Sequence, residues 1–158
     1  METLIVGILA LGIVAVRLRA LGVPVRVATR NAESAARLKA SGLRVTGVGG
    51  SLTIEVSQVA AVDEYSTRDT FDLVVLATKA AEAIEVALRL LELLGPGGTL
   101  APIQNGGVPQ MLTGRLGNNR VLGGLSNLGA TMTVPGVYEQ RNAGHLLIGE
   151  AGGGAEVA

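Results

Sequence analysis

The amino-acid sequence predicts an α/β domain with a mainly parallel sheet and helices on both of its faces. Three observations lead there. Met1–Asn31 reads as an apolar strand, a glycine turn, an apolar-faced helix and a second strand, which is a βαβ unit. Phe71–Thr78, FDLVVLAT, is an almost uninterrupted apolar run of the kind buried on both faces of a parallel sheet. Helical stretches alternate with strands between and after these runs, and the 23 glycines fall where strand-to-helix turns are expected rather than in one linker.

A chain of 158 residues, 48% of them apolar, can build one domain with a sizeable core. Thirteen Lys and Arg residues balance thirteen Asp and Glu and are scattered, so no basic face for nucleic acid is expected. Aromatic residues at 2% also leave little to stack on bases. The absence of cysteine excludes disulfides, thiolate catalysis and Cys-ligated metals, and a lone His145 argues against a histidine metal site or a Ser-His-Asp triad. The apolar run Leu4–Val16 is too short to span a bilayer. Its flanking charges, Glu2 before and Arg17 and Arg19 after, are the reverse of a signal peptide. A cytoplasmic protein is expected, with no metal, membrane or nucleic-acid partner.

The first strand, Thr3–Val6, delivers the chain to Gly7-Ile8-Leu9-Ala10-Leu11-Gly12. A dinucleotide fingerprint, G-x-G-x-x-G, uses its glycines for a tight turn, close approach of pyrophosphate to backbone, and close helix packing. The first and third glycines are present, but Leu9 occupies the phosphate-contact position, and the same six residues also read as an ordinary strand–helix turn. A helix over about Ala10–Leu21 stops at Gly22, and Pro24 opens the second strand, Val25–Thr29. An acidic residue after that strand would suit the ribose hydroxyls of NAD, whereas the guanidinium of Arg30 suits the 2′-phosphate of NADP; a solvated strand-end arginine is the plainer alternative.

Asn31 can cap a helix over Ala32–Ala40 that closes at Gly42. Leu43–Val48 and Leu52–Val56 alternate around Gly49-Gly50-Ser51 as a β-hairpin insertion, expected to face away from chemistry. After a polar connection, Asp63–Thr70, the apolar strand Phe71–Thr78 stops at Lys79, one of only two lysines. Ligands of open α/β sheets collect beyond the carboxyl ends of the strands, so this cation is well placed for a phosphate or an oxyanion. A helix from Ala80 to Leu94 ends at Gly95-Pro96-Gly97-Gly98, and a strand over Thr99–Ile103 brings Gln104-Asn105-Gly106-Gly107 to the same edge, although Asn105-Gly106 also suits a simple turn. A short helix, Pro109–Leu116, precedes the Gly-, Ser- and Thr-rich stretch Val121–Val134. Pro135-Gly136 fits a type II turn, and strands follow over Val137–Gln140 and His145–Gly149. The expected domain is thus Rossmann-like and doubly wound, with a β-hairpin insertion and C-terminal β-strands.

Taken together, these segments resemble the amino-terminal half of the ketopantoate reductases (2-dehydropantoate 2-reductases), NADPH enzymes of pantothenate and coenzyme A synthesis. The matching residues are Gly7-x-x-Ala10-Leu11-Gly12, Arg30, Thr78-Lys79-Ala80, Gln104-Asn105-Gly106, Gly123-Gly124, Gly129-Ala130, Pro135-Gly136-Val137 and Ile148-Gly149-Glu150, in that order. The resemblance implies NADP as cofactor, held by Gly7, Ile8, Leu9, Ala10, Leu11, Gly12, Arg30, Lys79 and Asn105. It also implies that Lys79 and Asn105 lie beside the nicotinamide end and the bound keto acid. In that family a lysine on a helical second domain protonates the ketone oxygen, so no catalytic acid is expected within this chain. Residues 1–150 are expected to form the NADP-binding domain and 151–158 the start of a linker to that second domain. The partners expected are a small-molecule keto acid and a second copy of the chain in a homodimer. Two other readings stay open: a Rossmann nucleotide-binding module without catalysis, which Leu9 would allow, and an NADP-dependent reductase of another small oxo acid.

Overall fold

Five parallel strands form the central sheet of the computed structural model, which describes residues 1–7, 9–55, 58–104, 107–117 and 119–150. In chain order the elements are β1 (Thr3–Val6), α1 (Leu9–Ala20), β2 (Val25–Thr29), α2 (Ala32–Ser41), β3 (Leu43–Gly47), β4 (Leu52–Ile54), β5 (Val59–Ala61), β6 (Phe71–Leu76), α3 (Ala80–Leu91), β7 (Leu94–Pro102), α4 (Val108–Leu116), β8 (Leu122–Ser126), β9 (Ala130–Val134), β10 (Val137–Gln140) and β11 (Leu146–Glu150). The central sheet runs β5-β2-β1-β6-β7. The chain therefore winds outward from β1 to one side, returns, and winds to the other, as expected from the sequence. The order reverses between β1 and β6, and ligands of such sheets collect above that point.

Alternation along the central strands builds a core on each face. Leu4 and Val6 of β1, Ala28 of β2 and Val74 and Leu76 of β6 pack with Ala83, Ala87 and Leu90 of α3 and with Val108 and Leu112 of α4. Ile5, Val27 and Val75 point the other way, to Ile13 and Val16 of α1 and to Ala35 and Leu38 of α2. Strands buried on both faces need apolar residues at every position, which is why β1 and β6 read as continuous apolar runs.

A second sheet, β4-β3-β10-β9, covers the outer side of α1. The β3–β4 hairpin is antiparallel as expected, but β10 joins β3 in parallel and β9 follows β10 antiparallel. Squeezed between two sheets, α1 must be apolar around most of its circumference, and LALGIVAV is. Gly136, at φ 86°, completes the turn from β9 to β10. A two-stranded antiparallel pair, β8 with β11, leans on β7 through a bridge from Leu100 to Val121.

Several boundaries depart from the sequence reading. β5 falls in a stretch for which no strand was expected; its three residues pair with β2 at the sheet edge. α3 ends at Leu91 rather than Leu94, and β7 begins at Leu94, so Gly95-Pro96-Gly97-Gly98 lies inside a strand instead of stopping a helix. At Gly98 a Cβ would approach the Phe71 carbonyl oxygen to 2.6 Å, so glycine is what allows the irregular pairing of Phe71 and Leu73 with β7. β6 ends at Leu76, two residues early, which leaves Ala77-Thr78-Lys79 as a loop. Among the described residues no helix is long and apolar enough to cross a membrane.

The amino edge of the sheet is clamped by charge. Arg26 of β2 pairs with Glu2 and Asp69 at 2.7 Å each and lies over the Phe71 ring, 5.5 Å from its centroid. A backbone N–H of Ser66 and the Arg26 guanidinium hold the Asp69 carboxyl below the usual carboxylate range. Tyr65 packs edge-on against Phe71 and donates its hydroxyl hydrogen to the Val27 carbonyl at 3.1 Å. With this edge tied off, the opposite edge carries the open cleft.

Candidate functional site

The carboxyl ends of β1, β2 and β6 are level, because Val6 pairs with both Ala28 and Leu76. Backbone bonds keep the emerging chains together: Gly7 N–H donates to the Ala28 carbonyl at 3.3 Å and Ala77 N–H to the Val6 carbonyl at 2.9 Å. Above them lies a cleft of about 560 Å³. That volume falls within the range of small-molecule sites, about 300–1,000 Å³.

Gly7 forms its floor. Its φ of 119° is a backbone conformation that side chains rarely permit, at the residue where the chain leaves β1. Of the glycine-turn candidates, Ile8 lies outside the described residues, and so do the side chains of Leu9, Ala10 and Leu11, whose backbone belongs to α1. Gly12 is buried and does not line the cleft; a Cβ there would run into the ring of Tyr138. Its glycine serves packing between α1 and the second sheet.

Arg30 stands at the mouth. The turn that carries it is fixed from below, since the buried Thr29 hydroxyl donates to the Asn31 carbonyl at 2.9 Å and Asn31 Oδ1 caps α2 by accepting from Ser34 N–H at 2.9 Å. A rigid turn thus presents an exposed guanidinium. The sequence reading did not foresee its partner: Arg30 Nη2 donates to Glu82 Oε1 at 2.9 Å and Oε2 at 3.0 Å. Glu82 sits in the first turn of α3, three residues after Lys79, and Glu85 lines the cleft one turn later. The signal available in the sequence was an acidic residue in the turn that begins at the strand-end lysine.

Lys79 is the N-cap residue of α3 and lines the same cleft; among the described residues it makes no ion pair. Asn105 lies outside the described residues. Its neighbour Gln104 donates from Nε2 to Thr78 Oγ1 at 3.4 Å, joining the loops that follow β6 and β7 at the carboxyl edge. Met132 of β9 also lines the cleft, so the second sheet reaches the site even though the hairpin strands β3 and β4 stay clear of it. The lone His145 borders a different hollow, beside Ile13 and Leu18 of α1.

A glycine turn running into a helix start, two cations and an apolar wall are a donor set suited to an elongated anion with flat apolar parts, which describes a dinucleotide. Gly7 and the start of α1 would receive its diphosphate and Arg30 a further phosphate, which leaves Lys79 for an oxyanion beside it.

Comparison with known proteins identifies the family and the fold. The sequence model of the family described as ketopantoate reductase PanE/ApbA matches residues 3–153. Among solved structures, the 2-dehydropantoate 2-reductase from Geobacter metallireducens GS-15 is 25% identical, with a TM-score of 0.78 over 95% of this chain and 49% of that one. The 2-dehydropantoate 2-reductase from Methylococcus capsulatus is 24% identical, with a TM-score of 0.78 over 94% and 48%. A ternary structure of D-mandelate dehydrogenase with NADH and anilino(oxo)acetate is 21% identical, with a TM-score of 0.83 over 98% and 50%. A search of curated protein sequences finds no significant match. The chain spans about half the length of the solved structures it matches.

Proposed function

Because this chain belongs to the ketopantoate reductase PanE/ApbA family, we propose that it is the cofactor domain of an oxidoreductase that reduces 2-dehydropantoate to pantoate with NADPH. The observation that supports this reading most directly is the cleft at the strand-order reversal, with Gly7 as its floor, Arg30 at one end and Lys79 beside it. When bound, the nicotinamide supplies the hydride.

The residues of this chain bind and orient. Gly7 and the start of α1 receive the diphosphate, and Arg30 receives the 2′-phosphate. Lys79 and Asn105 hold the carboxylate or carbonyl oxygen of the keto acid, so that the charge developing on that oxygen meets a cation and an amide N–H. The proton comes from a residue outside 1–150, on a helical domain that follows a linker at 151–158.

Titration of this chain with NADPH and NADH, followed by calorimetry, tests the cofactor assignment. Tighter binding of NADPH is expected, and equal or tighter NADH binding would overturn it. NADPH oxidation with 2-dehydropantoate and with other small 2-oxo acids, measured for this chain and for a version of its relatives' full length, tests the rest. Turnover confined to the longer version and fastest with 2-dehydropantoate is expected; comparable turnover in both would remove the division of labour.

A further inference from the structure

The cleft mouth holds two cations, Arg30 and Lys79, and two anions, Glu82 and Glu85. Only one cross-cleft ion pair is made among these four: Arg30, on the turn after β2, to Glu82, on α3, fifty-two positions along the chain. Both carboxylate oxygens converge on Nη2, so that nitrogen of the guanidinium is already spent on an anion of the protein itself.

We propose that Glu82 is a specificity-determining residue of the dinucleotide cleft, an internal anion that competes with the 2′-phosphate of NADPH for Arg30. This rests on reading the cleft as a dinucleotide site. A phosphate that grips the guanidinium bidentately uses an Nη2 N–H whichever edge it takes, so it binds by exchanging carboxylate for phosphate. Both partners of the pair are solvent-exposed, 68% for Arg30 and 42% for Glu82, so the pair is readily opened. The exchange then leaves Glu82 unpaired close to a dianion, and that like-charge proximity opposes NADPH. NADH brings no such charge. A carboxylate at the adenosine end is also the group that accepts hydrogen bonds from the ribose hydroxyls. Glu82 therefore penalises the phosphorylated cofactor and favours the plain one, narrowing the preference that Arg30 alone would establish.

The test compares dissociation constants of NADPH, NADH, 2′,5′-ADP and ADP for the chain, Glu82→Gln, Arg30→Ala and the double variant, by calorimetry. Glu82→Gln is expected to tighten NADPH and 2′,5′-ADP at least fivefold while leaving NADH and ADP unchanged or weaker. That gain is expected to vanish in the Arg30→Ala background. Binding of the ligands with an unchanged NADPH-to-NADH ratio in Glu82→Gln, or a gain that persists without Arg30, overturns the role of Glu82 alone. Failure of all four ligands to bind any of the proteins overturns the dinucleotide reading of the cleft, and the inference with it.

Discussion

The ring of Tyr138, on β10, occupies the space that any side chain at position 12 of α1 would need. The third glycine of the fingerprint is thus explained by contact between α1 and the second sheet. Tyr138 is fully buried.

Gly12→Ala is therefore expected to destabilise the fold by roughly 1–3 kcal/mol, the usual cost of overpacking a tight core. Urea denaturation measures it. In a Tyr138→Leu background the added cost of Gly12→Ala should shrink, because the smaller side chain vacates the overlap; equal costs in both backgrounds would show that the contact is not the cause.

Arg30→Ala is expected to weaken NADPH by about tenfold or more and to leave NADH within about twofold. Charge-assisted hydrogen bonds contribute roughly 1.5–3 kcal/mol each, and about 1.4 kcal/mol is tenfold in affinity. Calorimetry on both cofactors checks this, and an unchanged preference would take Arg30 out of the site.

Leu9→Gly should tighten dinucleotide binding by about tenfold or more, since glycine at this position lets the diphosphate reach the N–H groups of the helix start and adds one or two charge-assisted bonds of roughly 1.5–3 kcal/mol each. A variant that binds no better would mean that the turn is not a phosphate site.

The two tyrosines, the whole complement of the chain, offer a pH reading of the fold. Burial pushes both Tyr65 and Tyr138 up to about 12 from 10.0. A raised folded-state value means that folding favours the neutral phenol. The associated stability is present in full below pH 10 and is lost as pH rises from 10 through about 12. Tyrosinate absorbance should titrate near 12 in the native protein and near 10 in urea, with thermal stability falling over the same interval. A native midpoint near 10 for either ring would show that it is solvated.

Lys79→Ala and Asn105→Ala, introduced into a version of the relatives' full length, are each expected to lower kcat/KM for the keto acid by about ten- to a hundredfold, roughly 1.4–2.7 kcal/mol of transition-state stabilisation. Circular dichroism should be unchanged. Steady-state kinetics that match the parent would remove these residues from the substrate site.

Much of the architecture was legible in the chain itself. β1, β2 and β10 fall at their expected residues, and the β3–β4 hairpin and α2 within a few, because apolar runs, strict alternation and Asn or Gly at the ends are local signals. The carboxyl-edge position of Lys79 followed from the apolar run before it, read as a parallel strand, although β6 ends three residues earlier and Lys79 is the N-cap of α3. β5 was not legible: three residues, Val59-Ala60-Ala61, are too few to show a period, and they form a strand only because β2 offers an unpaired edge. The start of β7 was hidden by Gly95-Pro96-Gly97-Gly98, whose turn composition yields to pairing with β6.

By itself the sequence determined the alternation of strands and helices, the parallel sheet, and the placing of Gly7, Arg30 and Lys79 at strand ends, since each depends on residues within a few positions of one another. Only the tertiary structure decided that β10 would pair with β3 across about ninety residues, that Tyr138 would lie over Gly12, and that Arg30 would meet Glu82. Those contacts join positions whose local patterns carry no information about each other. Burying both sides of α1, and bringing the turn after β2 up to α3, requires the whole sheet to be assembled first.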